Sequence, residues 1–280
     1  MDQSFIPRTR CFSLGDLHDF DSCVFKFFVN HHLQKKYELA EGTSNQAIGS
    51  LLDLSIKKLH IVKAYNQPLE YLENLVKAAE NEMREHVERN GPTSFYGTQI
   101  QFLTPDVVEK AKEIFKSYYR GINGKFKKSI SSKNFWDHVI ESNSLLKVWG
   151  GPDNIELDPD GTPEVVDYKY FENPEGGRDR LDMDLMPKLY ILLASQDLKK
   201  AGYQKARFKV RLWQDPQNED YFEEFDLGNV GFLEDYFRVK IERILGTREL
   251  SFCQRSFCKV CNHPKKEEWI KELQAQGWID

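Results

Sequence analysis

The chain has 280 residues, 40% of them hydrophobic and 30% charged, with a formal net charge of −5. This composition suits a globular protein with a sizeable core, such as one large α/β domain. The acidic balance argues against a protein that coats nucleic acid through bulk positive charge. No apolar run approaches the roughly 20 residues of a membrane span, and the N-terminal stretch MDQSFIPRTRC lacks the apolar region of a secretory signal. We therefore expect a cytoplasmic protein without membrane contact.

The first predicted element is a helix over Phe12–Tyr37. Ser13 can cap this helix, and its apolar residues follow near-helical spacing. Cys23 lies in the middle of the run. Together with the helix that follows, this region forms a predicted N-terminal helical segment, residues 1–65.

A second helix is predicted over Ser44–Ile61. Gly49 and Asp53 are four residues apart and so share one helix face. The missing side chain at Gly49 would allow another element to approach. Asp53 is either a ligand for a cation bound elsewhere in the fold or a solvated helix residue, and the sequence favours neither.

Residues 66–135 are highly charged and predicted to be helical, in two helices over about Pro68–Arg89 and Pro105–Gly121. The breaker sequence Asn-Gly-Pro-Thr separates them. We expect a helical insertion that packs over a core formed by residues 136–246.

The most informative stretch is a predicted hairpin in that core. Lys147–Leu157 and Glu164–Tyr170 are strand-like and are joined by the turn sequence Asp-Pro-Asp-Gly. Asp153 lies on the first strand, and Asp167 and Lys169 share one face of the second. Two converging carboxylates repel unless a cation lies between them, and hard oxygen ligands favour Mg²⁺ or Mn²⁺. A neighbouring lysine can orient a water or stabilise charge on a phosphoryl group.

A Gly- and charge-rich loop follows the hairpin and contains Arg178 and Arg180, where a substrate strand would pass. Asp184 is predicted to cap the next helix. Gln204–Trp213 then alternates between apolar and basic residues, which is typical of a half-buried strand. Its four cations form either a phosphate track or a charged edge that prevents strand pairing; these are Lys205, Arg207, Lys209 and Arg211.

The C-terminal segment, residues 247–280, carries Cys253, Cys258 and Cys261 within nine positions. With Cys23, they supply four thiolates, a number that suits a tetrahedral Zn²⁺ or a 4Fe–4S cluster. Reduced thiols without a ligand are the remaining alternative.

The order Pro152-Asp153, then Asp167-Tyr168-Lys169, resembles the motif of the PD-(D/E)XK nucleases. The Gly-Gly pair before it and the strand ending in Val-Val-Asp-Tyr-Lys are similar to the RecB-type branch, which includes CRISPR-adaptation exonucleases. That branch carries a histidine where this chain has Asp53, and a Gln-x-x-x-Tyr motif whose tyrosine matches Tyr190, with Met186 at the glutamine position.

The resemblance implies a restriction-endonuclease-like α/β core, with a central mixed β-sheet flanked by helices, in a single domain over residues 1–280. It implies a Mg²⁺- or Mn²⁺-dependent deoxyribonuclease, most simply an exonuclease acting on DNA ends or single strands. Asp153, Asp167 and Lys169 would be catalytic, while Asp53 and the carbonyl of Tyr168 would complete the metal site.

By the same resemblance, Tyr190 would contact substrate and the four cysteines would hold a 4Fe–4S cluster that joins the chain ends. Recombination, repair or CRISPR-adaptation proteins would be its partners. Two other functions stay open: a catalytically inactive nuclease fold that binds DNA or protein, and a zinc-ribbon-like tail that docks a partner independently of the core.

Overall fold

The computed structural model describes residues 11–35, 42–63, 65, 67–92, 94, 96–124, 126–131, 136–140, 146–173, 184–216, 221–253 and 258–280. A run of helices follows the first short strand and precedes most of the other strands. None of the described helices combines the length and the apolar character that a bilayer crossing requires. The predicted class is confirmed: the fold is mixed α/β, with mixed sheets flanked by helices.

The N-terminal region contains a short strand and two helices instead of the single predicted helix: β1 (Cys11–Ser13), α1 (Leu14–Ser22) and α2 (Val24–His31). The predicted cap is confirmed, since Ser13 and Asp16 form a reciprocal capping box at the start of α1. The helix breaks at Cys23, whose backbone is extended (φ −169°, ψ 107°) and whose Sγ accepts a hydrogen bond from the Lys26 N–H. The helical spacing of apolar residues continues through Cys23, so the sequence alone does not predict that the helix ends there.

Four helices form the next layer: α3 (Ser44–Ile61), α4 (Leu69–Asn90), the short α5 (Gly97–Ile100) and α6 (Pro105–Gly121). The two helices predicted in residues 66–135 are therefore present as α4 and α6. Buried apolar residues of α3, α4 and α6 form one cluster with Val166, Tyr168 and Trp213. The helical layer thus covers one face of the sheet that carries Asp167.

The strands divide into two sheets rather than one central sheet. The smaller has the order β1-β3-β2, with β2 (Trp136–Ile140) and β3 (Leu146–Gly150). The larger has the order β4-β5-β6-β7 and consists of β4 (Asn154–Leu157), β5 (Pro163–Lys169), β6 (Lys205–Leu212) and β7 (Tyr221–Asp226).

The stretch predicted as one interrupted strand, Lys147–Leu157, belongs to both sheets. Gly150 has φ of +145°, a conformation that side-chain-bearing residues rarely adopt, so the chain can leave the first sheet there. The hairpin itself is formed by β4 and β5, which pair antiparallel with Asn154 opposite Val166. Asp153 directly precedes β4 and donates its backbone N–H to the carbonyl of Val166 at 3.0 Å.

The remaining helices are α7 (Leu185–Lys200), α8 (Gly231–Gly246) and α9 (Lys266–Ala275). Helix α7 packs against strands of both sheets, and its buried side chains share the second apolar cluster with β5 and β6. Asp184 occupies the N-cap position of α7, but its side chain does not cap the helix as predicted. Its carboxylate instead accepts a hydrogen bond from the Tyr236 hydroxyl at 2.6 Å and contacts Lys188.

The basic residues of β6 are neither a phosphate track nor edge protection, so both predictions were wrong. Strand β6 lies inside the sheet, between β5 and β7. Arg211 lies 2.9 Å from Glu156 and from Glu164, and Lys209 is buried beside Glu164 at 2.5 Å. Lys209 and Arg211 thus neutralise buried carboxylates, Glu164 on the adjacent β5 and Glu156 on β4 beyond it, because unpaired buried charges are very costly.

Glu164 is the centre of this network, with Lys127, Lys209 and Arg211 all within 2.9 Å of its fully buried carboxylate. We expect Glu164→Gln to lower the free energy of unfolding by about 3 kcal/mol, because it removes the carboxylate charge beside the buried Lys209 and one of the two beside Arg211. Urea unfolding of the variant and its parent measures this change. Glu224→Gln, which removes an exposed partner of Lys205 and Arg207, is the control and should have a smaller effect. Equal effects would contradict the assignment.

Candidate active site

The three predicted catalytic side chains lie together near the start of β4 and the end of β5. The Lys169 Nζ is 2.5 Å from the Asp167 Oδ2, and both residues point to the α7 face of the sheet. The Asp153 Oδ2 accepts a hydrogen bond from the backbone N–H of Tyr168 at 2.8 Å. Antiparallel pairing therefore brings the two carboxylates to one end of the hairpin.

Helix α3 contributes the third predicted ligand and a lysine that the sequence analysis missed. Asp53 lies in the electrostatic field of Asp153, Lys169, Lys57 and Asp167, so it faces the hairpin rather than bulk solvent. One turn further along α3, the Lys57 Nζ lies 3.2 Å from the Asp153 Oδ1. The i, i+4 spacing of Asp53 and Lys57 was the available signal.

The carboxylates destabilise one another's charged forms. Burial raises the pKa of Asp53 well above its usual range, and the negative charge of Asp153 raises it further. Burial likewise raises the pKa of Asp167 to about 6, with Asp153 adding to the shift and Lys169 opposing it. Converging hard oxygen donors that repel one another fit a divalent cation such as Mg²⁺ or Mn²⁺.

The two lysines provide the balancing positive charge. Burial acts to lower the pKa of Lys169, but the neighbouring acidic groups, Asp167 foremost, together outweigh it and the net shift is upward. The pKa of Lys57 is also raised, because Asp153 and Asp53 outweigh the effect of burial. Both side chains are therefore held as ammonium groups.

A cavity of about 700 Å³ opens on this site. Asp53 and Lys169 line it, so the reactive groups are accessible from outside. Gly49 also lines the cavity, and a Cβ there would meet nothing within 4 Å. The prediction that Gly49 admits another structural element was wrong; the residue faces open space. The remaining walls are mainly polar or aromatic and include Asn45, Gln46, Ser50, Gln99, Tyr168, Tyr170 and Phe171.

Behind the site, a buried hydrogen-bond network holds the hairpin on its helical face. The Asn154 Nδ2 donates to the Glu156 Oε1 at 3.0 Å and to the His60 Nε2 at 2.8 Å. The Tyr168 hydroxyl donates to the same Glu156 oxygen at 2.8 Å. Asn154 and Tyr168 are the direct neighbours of Asp153 and Asp167, so the network is one residue away from both carboxylates.

His60 gives this network a pH dependence. Burial lowers the pKa of His60 from 6.5 to about 4, and the charge of Arg211 adds to the shift. Because the folded pKa is depressed, the stabilisation is fully present above about 6.5 and is lost as the pH falls towards about 4. The shift corresponds to about 3 kcal/mol.

Urea unfolding at pH 7 and pH 4 measures this effect in the parent and in His60→Gln, and the variant should lose less stability on acidification. His32, whose pKa burial lowers to about 3, is present in both proteins and cancels in the comparison. An identical pH dependence in the two proteins would contradict the assignment.

Tyr190 lies beside the site, and Arg178 and Arg180 fall outside the described residues. Burial raises the pKa of Tyr190, and the negative charge of Asp167 adds to the shift. The ring also packs near Phe208, with centroids 6.0 Å apart. Met186, at the position of the motif's glutamine, is buried in the core. Substrate contact by Tyr190 and the two arginines stays a prediction.

The four predicted cysteines form a second cluster. The Sγ atoms of Cys23, Cys253, Cys258 and Cys261 all lie within 4.8 Å of one another. The Cys23 Sγ is 3.4 Å and the Cys253 Sγ 3.7 Å from the Cys261 Sγ. Burial raises the pKa of Cys261, and the neighbouring sulfurs raise it further. Soft thiolate donors in this arrangement fit a metal centre.

The cluster joins the two ends of the described chain. Cys23 is the N-cap of α2, and the Phe25 N–H donates to the carbonyl of Ser251 at 3.1 Å. Trp278 stacks on His32 with ring centroids 3.9 Å apart. Apolar side chains of the tail also share a cluster with the core strands. The tail is therefore packed into the core rather than forming a separate docking module.

The model of the PD-(D/E)XK nuclease superfamily matches residues 11–265 of this chain. The chain belongs to that superfamily. A search of curated proteins finds no match. The family match covers both the hairpin and the cysteine cluster, and membership implies a hydrolase that acts on nucleic acid. Sequence and geometry therefore agree on the class of protein.

Proposed function

We propose that this PD-(D/E)XK protein is an active, divalent-metal-dependent deoxyribonuclease of the RecB type. The observation that supports this most strongly is the convergence of Asp53, Asp153 and Asp167 with the Lys169 ammonium, beside a cavity that Asp53 and Lys169 line. Mg²⁺ or Mn²⁺ would be held by the three carboxylates, with the carbonyl of Tyr168 as a further ligand.

The reaction forms a bond between phosphorus and the oxygen of water and breaks the bond to the leaving sugar oxygen. The water releases a proton to solvent, and the leaving oxygen takes one up from solvent. A bound divalent ion supplies Lewis-acid stabilisation of the phosphoryl charge and lowers the pKa of water. Lys169, held by Asp167, orients the attacking water and offsets negative charge on the phosphate. The buried hairpin keeps these groups in fixed positions, so a phosphodiester that binds there is already oriented for attack by water.

The residues that line the cavity favour single-stranded DNA or a DNA end as the substrate. Tyr170 and Phe171 line it and offer faces on which bases can stack without sequence preference. Uncharged polar groups of α3 and α5, including Gln46 and Gln99, also line it and can bind the backbone or base edges. Cleavage from an end, as an exonuclease, follows most simply from such a site.

We further propose that the cysteine cluster binds one Zn²⁺. Four thiolates bound tetrahedrally at about 2.3 Å lie about 3.8 Å from one another, close to the 3.4 and 3.7 Å found here. A 4Fe–4S cluster, the prediction from resemblance, places an iron atom at each thiolate and needs wider separations. The ion would be structural, since it closes a loop of more than 200 residues.

A cleavage assay with end-labelled DNA tests the nuclease proposal. We expect the purified chain to degrade single-stranded DNA in Mg²⁺ or Mn²⁺, and to lose this activity in EDTA. Matched duplex and RNA substrates define the preferred nucleic acid, and the sizes of early products distinguish removal from an end from internal cleavage. DNA binding without cleavage in either metal would support the alternative, a catalytically inactive binding module.

A further inference from the structure

A histidine on the helix that supplies Asp53 contacts the strand that directly follows Asp153. Asp53, Lys57 and His60 are spaced by four and three residues, so they lie along one face of α3. Lys57 reaches Asp153 itself, with its Nζ 3.2 Å from Oδ1. His60 reaches the next residue, Asn154, with its Nε2 2.8 Å from Nδ2. The two contacts fix α3 against the start of β4.

The hydrogen bonds define the direction of the His60 contact. The Asn154 Nδ2 also donates to the Glu156 Oε1, which only accepts as a carboxylate, so the amide nitrogen faces His60 and donates to it. The His60 Nε2 is therefore an acceptor, and its Nδ1 carries the proton and faces the Tyr65 hydroxyl at 3.0 Å. Both ring nitrogens are used, and the ring is buried. The imidazole thus has one orientation and one tautomer.

We propose that His60 is a positioning residue that sets the distance between Asp53 and Asp153, and thereby the affinity of the active site for a divalent ion. The proposal rests on the metal-dependent function proposed above. His60 touches neither carboxylate; it acts through Asn154, which adjoins Asp153. Groups that orient metal ligands in this way commonly change metal affinity by about 10–100-fold when they are removed.

Two polar substitutions separate the two contacts of the ring. In His60→Gln the amide reaches the position of Nε2 and can accept from Asn154. In His60→Asn the shorter amide reaches only the position of Nδ1, near Tyr65, and leaves Asn154 without its partner. Both variants place a polar amide at the same buried position, so their effects on the free energy of unfolding should be similar. Urea unfolding identifies any variant that is not folded.

The experiment measures Mn²⁺ binding without nucleic acid, by calorimetry or by the paramagnetic signal of the free ion. We expect His60→Asn to bind Mn²⁺ at least about 10-fold more weakly than the parent, and His60→Gln to recover most of the affinity. His138→Asn is the control, because His138 is also buried and hydrogen-bonded, to Glu234 at 2.9 Å, but lies in the other sheet.

Parental affinity in His60→Asn would overturn the positioning role, as would an equal loss in His138→Asn or in His60→Gln. These outcomes leave the proposed nuclease function intact. A parent protein that binds no Mn²⁺ would overturn both proposals together. The two failures are therefore distinguishable in one titration series.

Discussion

Asp167→Asn should reduce DNA cleavage at least about 10³-fold while the protein stays folded. The substitution removes one of the converging negative charges and the counter-ion of Lys169, whose Nζ lies 2.5 Å from the Asp167 Oδ2. Loss of an interaction worth several kcal/mol in the transition state corresponds to this reduction in rate. Single-turnover cleavage of end-labelled DNA measures the effect.

Asp235→Asn is the matched control for this prediction. Asp235 lies on α8 and pairs at the surface with Arg238 at 2.5 Å. The variant carries the same change of charge and should cleave at the parental rate. DNA binding should persist in Asp167→Asn, because the substitution reduces negative charge at a site that faces phosphate. Parental activity in Asp167→Asn would contradict the assigned site.

Cys261→Ser should release the metal ion of the cysteine cluster and lower the free energy of unfolding by several kcal/mol. Cys261 is the central sulfur, at 3.4 Å from Cys23 and 3.7 Å from Cys253. The ion links the N-terminal helices to the C-terminal segment, and a structural metal contributes its binding energy to folding. Elemental analysis and urea unfolding of the same samples measure the two effects.

Cys11→Ser provides the control, because Cys11 lies in β1 and is not one of the four clustered residues. We expect one zinc per chain in the parent and in Cys11→Ser, and none in Cys261→Ser. If the parent protein is brown and contains four irons per chain, the four cysteines bind a 4Fe–4S cluster and not zinc. Equal metal content in all three proteins would contradict a metal at this cluster.

The hairpin that carries Asp167 and Lys169 was predictable from sequence because its determinants are local. The alternation of β5 and the Asp-Pro-Asp-Gly turn place Asp167 and Lys169 on one face, whatever the rest of the fold does. The turn is present as predicted, with the Gly161 N–H donating to the carbonyl of Asp158 at 2.9 Å and Gly161 at φ +84°. The four cysteines were likewise identified by number and spacing.

The errors arose where the partner of a residue lies far away in sequence. The alternation of β6 correctly predicts a strand, but Glu156 and Glu164, which neutralise its cations, belong to a different hairpin. Nothing local distinguishes a solvated basic face from a buried one. Similarly, the role of Lys57 depends on Asp153, which is 96 residues later. Lys57 lies one turn after Asp53, but this spacing indicates a role only once the fold places Lys57 beside Asp153.

A crystal of the protein soaked in Mn²⁺ tests the central claim most directly. The anomalous difference map should contain a strong peak between Asp153 and Asp167, within bonding distance of at least one oxygen of each and of Asp53. Metal–oxygen distances should be close to 2.1–2.2 Å, as for small hard cations. A saturated crystal with no anomalous peak among these three carboxylates would contradict the assignment of this cavity as the active site.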